Sequence, residues 1–197
     1  MGTYVAIHDR RLAGGVPERK GLTVINTNAH TQLREAFGGI NYAARKKGPV
    51  DALFVLCHGY AGYNDNANVS MDAGGMGLKL GQEGVVHENV AMWKAIANHV
   101  KIIVVYSCAA ANTEPGNEGT GADGRYLIGA LAIHTKAKVY AADRIQWYGK
   151  FNNLKHGRFE WGNWEGTLYE FTPNGNSPTM VARAPIEFAD VMNGTAP

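Results

Sequence analysis

Two short apolar runs, each followed by a chemically reactive residue, constrain the fold of this 197-residue chain more than any other feature. Residues 50–57 lead into His58, and residues 100–107 lead into Cys108. Short runs rich in β-branched residues are typical of strands buried on both faces of a parallel sheet. Ligands of an open α/β sheet bind beyond the carboxyl ends of its strands. We therefore expect His58 and Cys108 to face one crevice, as a thiol nucleophile and its base require.

The segments before the first run alternate between strand and helix patterns. Residues 4–7 and 22–25 have the composition of strands, and Asn28 or Thr31 is placed to cap a helix that ends near Lys47. A strand, a helix and a second strand of this length form a right-handed crossover unit, which builds a parallel sheet. The predicted fold class is therefore α/β with a mostly parallel sheet.

The alternation continues beyond His58. Residues 88–98 and 123–135 carry apolar side chains at helical spacing, and residues 137–142 form an apolar strand that ends at Asp143. Residues 59–85, by contrast, form a long segment rich in Gly, Asn and Asp, and loops of this length inside a compact domain are usually functional or mobile.

The pattern changes after Asp143, where aromatic and polar residues alternate. Residues 173–176 form a turn signal between two strand-like segments, which predicts a β-hairpin. The length suits one sizeable core rather than two. We predict a single domain over residues 1–197, with its core at about 22–143 and an aromatic-rich β appendage at 144–197.

Composition narrows the expected partners. The formal net charge is only +2 and the longest basic cluster is the triplet at 45–47, so no nucleic-acid surface is expected. No apolar stretch approaches the roughly 20 residues of a membrane helix. Residues 1–11 lack the apolar centre of a signal peptide. We expect no membrane association, and a cytoplasmic location or export by a route that reads no N-terminal leader.

The order of these motifs resembles the caspase-like cysteine peptidases of clan CD, a group that includes caspases, metacaspases, legumains, clostripain, gingipains and separases. An apolar strand ends at His58-Gly59, a glycine-rich loop and a helix follow, and a second apolar strand ends at Ser107-Cys108. Residues 77–81 are similar to the corresponding stretch of bacterial members. The resemblance implies a caspase-like three-layer α/β/α fold with a mostly parallel sheet and a C-terminal β-hairpin appendage.

The same resemblance implies a catalytic apparatus. It makes Cys108 the nucleophile and His58 the general base or acid, with the backbone N–H groups of Gly59 and Cys108 as the oxyanion hole. General chemistry agrees, because an imidazole near a thiol lowers its pKa or removes its proton. Two fixed N–H donors stabilise a developing oxyanion. The expected activity is that of a cysteine endopeptidase that forms a thioester acyl-enzyme with a polypeptide substrate.

The expected specificity pocket departs from the family pattern. Tyr106 and Ser107 precede the nucleophile, where caspases have Gln-Ala and several relatives that cleave after Arg or Lys have an acidic residue two positions before the Cys. Asp143 ends the next strand, where such relatives keep a pocket acid. Our hypothesis is that Asp143 binds a basic P1 side chain, with Gln146 or Trp147 lining the pocket.

Other ligands have weaker support. With two cysteines there is no disulfide framework, and we expect Cys57 to pack in the core. No Cys or His spacing indicates zinc, and the glycines fit no nucleotide fingerprint. We expect no cofactor and no metal, with Ca²⁺ as the remaining option because Asp65, Asp72 and Glu83 offer oxygen ligands in one long loop.

Two alternative functions stay open. Residues 53–62 look much like the oxyanion loop of lipases, so an α/β-hydrolase-type esterase with a Cys nucleophile is one alternative. That fold needs a helix directly after the nucleophile, whereas residues 109–121 have the composition of a loop. The other alternative is a catalytically silent caspase-like module that binds peptides. The sequence leaves the oligomeric state open.

Overall fold

A computed structural model describes residues 2–60, 74–146 and 164–197. Strands and helices alternate along the chain, in agreement with the predicted α/β class. The elements are β1 (Tyr4–Asp9), β2 (Leu22–Thr27), α1 (Leu33–Lys47), β3 (Val50–Leu56), β4 (His58–Gly59), β5 (Leu78–Lys79), a 3₁₀ helix (Val90–Ile96), β6 (Val100–Tyr106), α2 (Gly124–Thr135), β7 (Lys138–Ala142), β8 (Leu168–Phe171), β9 (Thr179–Val181) and α3 (Phe188–Asn193).

Seven strands form one sheet in the order β2-β1-β3-β6-β7-β8-β9. The pairs from β2 to β7 are parallel, and β8 and β9 are each antiparallel to their neighbours. Leu56 on β3 is paired with Tyr106 on β6. His58 and Cys108 each follow two residues later, so the register brings both to the same edge of the sheet.

Helix α1, the 3₁₀ helix and α2 pack on one face of the sheet, and the short helix α3 packs on the other. The larger apolar cluster includes Leu53 and Val105 from the central strands together with residues of α1, the 3₁₀ helix and α2. The opposite face holds a second cluster in which Phe54 contacts Phe188 of α3 edge to face, with ring centroids 5.4 Å apart. Because strand side chains alternate between faces, β3 and β6 contribute to both clusters.

The sheet extends beyond the predicted core at both ends. Strand β1 is buried along its whole length between β2 and β3, although the expected core begins only at about residue 22. Strands β8 and β9 form the predicted hairpin, and they continue the main sheet. Leu168 and Phe171 are buried in the two apolar clusters, so the C-terminal segment belongs to the core.

The segment predicted as a helix at 88–98 is a 3₁₀ helix over Val90–Ile96. Its buried side chains, Val90, Trp93 and Ile96, follow one another at intervals of three. Three residues per turn is the 3₁₀ period, and an α-helix would rotate the last of them away from the sheet. Trp93 packs edge to face on Phe37 of α1, with ring centroids 5.2 Å apart.

The predicted cap of α1 is also wrong. The helix is capped by Gln32 rather than by Asn28 or Thr31, and the Gln32 backbone N–H donates to the Glu35 carboxylate at 3.3 Å. Asn28 instead accepts from the His30 backbone in a turn before the helix. None of the helices in the described part of the chain combines the length and apolar character that crossing a bilayer requires.

Candidate active site

The candidate site lies where Gly59 contacts Cys108, which comes two residues after the end of β6. A Cβ atom added to Gly59 would lie 2.1 Å from the carbonyl oxygen of Cys108 and 3.1 Å from its carbonyl carbon. Real Cβ atoms do not approach other heavy atoms this closely. The two backbones therefore touch, and only glycine allows this approach at position 59.

The Cys108 thiol lies in this contact zone and is partly buried. Burial raises its pKa, and hydrogen bonds from the backbone of Gln146, Cys108 and Gly59 oppose that rise. The nearby negative charge of Glu165 raises it further. The S–H group lies 3.7 Å from the Gln146 carbonyl oxygen, which accepts from it. In this state the environment favours the neutral thiol.

Two of the backbone groups that lower the pKa of Cys108 belong to the residues predicted to form the oxyanion hole. A hydrogen bond lowers a thiol's pKa when its donor stabilises the anion. Gly59 and Cys108, the two residues predicted to supply the oxyanion hole, both do so at this sulfur.

The chain turns sharply directly after Cys108. Ala109 has a φ of 49°, in the left-handed region that residues other than glycine rarely adopt. The turn is fastened to the end of β7, because the N–H groups of Ala109 and Ala111 donate to the carbonyls of Arg144 and Ala142 at 2.8 and 3.0 Å. Strained backbone beside a reactive side chain is a feature of functional sites.

His58 is exposed, and its ring is hydrogen-bonded to the backbone of another loop. Its Nε2 atom lies 3.2 Å from the backbone carbonyl oxygen of Arg11, in the loop after β1. A carbonyl can only accept, so Nε2 carries the proton and Nδ1 is left as the basic nitrogen. His58 also pairs with Lys79 between β4 and β5. Neither His58 nor Cys108 is seen to donate a hydrogen bond to the other.

The predicted pocket residues have structural partners of their own. Asp143 accepts from the Thr167 backbone N–H at 2.8 Å, and its second oxygen lies 3.5 Å from the Tyr169 hydroxyl. Gln146 is buried, and its side chain donates to the carbonyls of Arg144 and Glu165 at 2.9 and 2.8 Å. These bonds link the end of the segment after β7 to the segment that leads into β8. Trp147 lies outside the described residues.

Tyr106 and Ser107 point into opposite layers. The Tyr106 ring is buried against Phe54 and stacks on Trp164, with centroids 4.7 Å apart. Its hydroxyl accepts from the Phe188 N–H at 3.1 Å. The Ser107 hydroxyl is fully buried on the other side, where no described group bonds it with good geometry although it lies beside the Cys57 sulfur.

The remaining candidates do not reach the site. Cys57 is fully buried in the larger apolar cluster, as expected, and burial raises its pKa to about 12. Glu83 accepts from the Leu33 N–H at 3.0 Å and so serves the start of α1. Asp65 and Asp72 lie outside the described residues. Elsewhere in the described ranges, no three His, Cys, Asp or Glu side chains are grouped as metal ligands would be.

Three residues near the site carried no sequence signal. Arg11 contacts His58 through its backbone carbonyl, Asp9 forms an ion pair with Arg11, and the charge of Glu165 raises the pKa of Cys108. Arg11 contributes a backbone carbonyl, which every residue type has, and Glu165 follows an aromatic stretch with no recognisable motif.

Comparison with protein-family models, curated proteins and solved structures found no match to this chain.

Proposed function

We propose that this protein is a cysteine endopeptidase of the caspase-like type. The observation that carries the proposal is the contact between Gly59 and Cys108, because it holds the backbone after His58 against the residue that carries the thiol, at the carboxyl edge of a parallel sheet. A thiol beside fixed N–H donors suits acyl transfer, in which the donors receive the oxygen that becomes negative.

The proposed reaction has two stages. His58 takes the thiol proton as the Cys108 sulfur attacks the scissile carbonyl carbon, and the carbonyl oxygen gains negative charge beside the N–H groups of Gly59 and Cys108. The C–N bond then breaks as His58 delivers that proton to the leaving amine, which leaves a thioester. Water attacks the thioester carbon as His58 takes one of its protons. The C–S bond then breaks, His58 returns this proton to the sulfur, and the carboxylic acid product ionises to solvent.

The hydrogen bond to the Arg11 carbonyl supports this role for His58. It fixes the tautomer with the proton on Nε2 and leaves Nδ1 free to take the proton that the thiol loses. A base oriented by a third group is the general arrangement of nucleophilic sites. Catalytic hydrogen bonds are often long without substrate and tighten when it binds, which accommodates the separation of His58 from Cys108.

Cleavage after a basic residue is the proposed specificity, with two carboxylates to test. Asp143 keeps one oxygen only weakly engaged, at 3.5 Å from the Tyr169 hydroxyl. Glu165 is close enough for its charge to raise the pKa of Cys108. A cationic P1 side chain bound beside either residue would offset that charge and lower the pKa of the thiol.

The raised pKa of Cys108 favours one alternative, the silent binding module, because a neutral thiol without a base in contact is a poor nucleophile. The esterase alternative has less support. Residues 109–123 form turns and loop, and α2 begins only at Gly124, whereas that fold requires a helix directly after the nucleophile.

The decisive experiment is covalent labelling by peptide electrophiles with Arg, Lys, Asp, Asn or Leu at P1, mapped by mass spectrometry. Wild type is compared with Cys108→Ala, His58→Ala and the matched control Cys57→Ala, each with Ca²⁺ and with a chelator. Selective labelling of Cys108 that falls about 100-fold or more in His58→Ala is expected for a general base. Cys57→Ala should label like wild type.

Specificity is read from the same assay. Loss of Arg and Lys labelling in Asp143→Ala, with Leu labelling retained, assigns the pocket to Asp143; the same result in Glu165→Gln assigns it to Glu165. Labelling of Cys108 no faster than that of a free thiol by every probe would overturn the peptidase proposal and favour the binding module. Turnover of esters without turnover of peptides would favour the esterase.

A further inference from the structure

Asp9 is a fully buried carboxylate at the carboxyl end of β1, two residues before Arg11. It accepts from the Nε and an Nη atom of Arg11 at 2.8 and 2.7 Å, and from the Arg11 backbone N–H at 3.1 Å. The Gly81 N–H and the Thr27 hydroxyl donate to it at 2.9 and 3.2 Å. A buried charge needs such partners, and here they come from three separate segments.

These bonds fix Arg11 twice. Its backbone N–H and its guanidinium are both bound to the Asp9 carboxylate. The Leu12 N–H, which shares a peptide group with the Arg11 carbonyl, donates to the backbone carbonyl oxygen of Asp9 at 2.8 Å. The orientation of the Arg11 carbonyl is therefore set by bonds to Asp9. That carbonyl is the group that accepts from Nε2 of His58 at 3.2 Å. Guanidinium and carboxylate meet through two parallel bonds, which gives direction as well as strength.

A second route leads from Asp9 to His58. The Gly81 N–H donates to Asp9, and the Arg11 guanidinium donates to the Gly81 carbonyl at 2.8 Å. Gly81 follows β5 closely, and Lys79 of β5 pairs with His58 on β4. The ring of His58 and its backbone are therefore both linked to the same buried ion pair.

We propose that the Asp9–Arg11 ion pair is a clamp that positions His58, which makes Asp9 a positioning residue for the proposed peptidase reaction. The inference rests on the proposed function for its catalytic meaning. The geometric part of the proposal does not depend on that function. Without the charge on Asp9, the Arg11 side chain is released, and the His58 ring loses the fixed position of its hydrogen-bond acceptor, the Arg11 carbonyl. Small misplacements of a reacting group cost rate steeply.

The test compares two clamp variants with a matched ion pair elsewhere. Asp9→Asn removes the charge, and Arg11→Lys keeps the charge and the backbone carbonyl but loses the paired contact. The control is Asp51→Asn, because Asp51 also accepts from a cation, Lys101 at 2.7 Å, and from a backbone N–H, that of Thr3 at 2.8 Å, at the opposite end of the sheet.

Two measurements are made on the intact protein. The ring signals of His58 are followed by NMR in ¹⁵N-histidine-labelled protein and assigned with His58→Gln. The rate at which iodoacetamide alkylates Cys108 is measured in each variant, alone and combined with His58→Ala. Urea unfolding of every variant verifies that it is folded under the assay conditions.

We expect both clamp variants to move the His58 signals toward those of a freely solvated imidazole, with no such change in Asp51→Asn. Alkylation should slow about tenfold in Asp9→Asn, and this effect should vanish in the His58→Ala background. Unchanged ring signals in both clamp variants would overturn the proposal, and so would an equal slowing in both backgrounds. If His58→Ala alone leaves alkylation unchanged, the proposed dyad fails, and the ring signals still decide whether Asp9 positions His58.

Discussion

The carbonyl oxygen of Cys108 occupies the space that a side chain on Gly59 would need, since a Cβ atom there would lie only 2.1 Å away. This contact couples the end of β4 to the turn after β6. The two backbones can approach this closely only because residue 59 has no Cβ atom.

Replacing Gly59 by Ala is expected to push the two backbones apart and to lower the reactivity of Cys108 at least about tenfold, because the N–H donor moves with the backbone. The matched control is Gly38→Ala, since Gly38 is a glycine in α1 with nothing within 4 Å of its added Cβ. That change should stabilise the protein by about 0.5–1 kcal/mol through helix propensity. Iodoacetamide kinetics and urea unfolding measure the two effects. Equal reactivity in Gly59→Ala and wild type would contradict the contact.

The two cysteines are expected to react in strict order. Cys57 is fully buried with a pKa near 12, whereas Cys108 is partly exposed. The thiolate is the reactive form and must be reached by the reagent. A pulse of iodoacetamide at pH 8, followed by peptide mapping, should find Cys108 modified before any Cys57. Cys57 should react only when urea unfolds the protein, and early labelling of Cys57 would show that its strand opens locally.

Asp123 is expected to stabilise the loop that follows the nucleophile. Its carboxylate caps α2 by accepting from the Tyr126 N–H at 3.0 Å, and it also accepts from the Gly119 N–H and the Thr113 hydroxyl, each at 2.7 Å. Asp123→Ala should lower the free energy of unfolding by about 1–2 kcal/mol, the usual cost of a lost helix cap. Urea unfolding at pH 7 measures the loss.

The Asp123 contribution should depend on pH with a defined sign. Burial alone would raise the pKa of Asp123, but hydrogen bonds from Gly119, Tyr126 and Thr113 hold it below its ordinary value of 3.8. The unfolded chain therefore binds the proton first, and the stabilisation present above about pH 4 is lost as the pH falls below it. The difference between wild type and Asp123→Asn should shrink over that range. Glu118→Gln, a change in an exposed acid of the same loop, serves as the control.

Tyr106 is expected to act on stability through α3. Tyr106→Phe removes the acceptor of the buried Phe188 N–H, and an unsatisfied buried donor costs about 1–3 kcal/mol. The control is Tyr42→Phe, because Tyr42 is 63% exposed on α1. Thermal unfolding should separate the two variants. A Tyr106→Phe protein that is as stable as wild type but has a changed P1 preference would assign Tyr106 to the substrate pocket instead.

The fold class could be predicted because the strong signals lie in the central strands. The runs before His58 and Cys108 are apolar on both faces, and such runs have few alternatives to a buried parallel sheet. The 3₁₀ helix was missed because seven residues do not distinguish a period of three from one of 3.6. Helix α3 spans six residues and gave no periodic signal.

The same distinction decides which parts of the candidate site could be predicted from the sequence. The position of His58, Gly59 and Cys108 at one edge of the sheet could be predicted because they follow strands whose ends the pattern locates. The acceptor of the His58 ring was missed, since a backbone carbonyl 47 positions away leaves no trace in residue types. Asp9 and Arg11 lie two positions apart in a charged stretch, and only the fold shows that one carboxylate binds both the guanidinium and the β5 loop.

The side chains at the end of β6 alternate between the two faces of the sheet. Tyr106 is anchored among the aromatic rings on one side of the sheet, Ser107 is enclosed on the other, and Cys108 comes next. The backbone that carries the Cys108 sulfur is therefore held by packing on both faces of the sheet. We expect the rate at which Cys108 reacts to change when the packing of either face is disturbed, even while the protein stays folded.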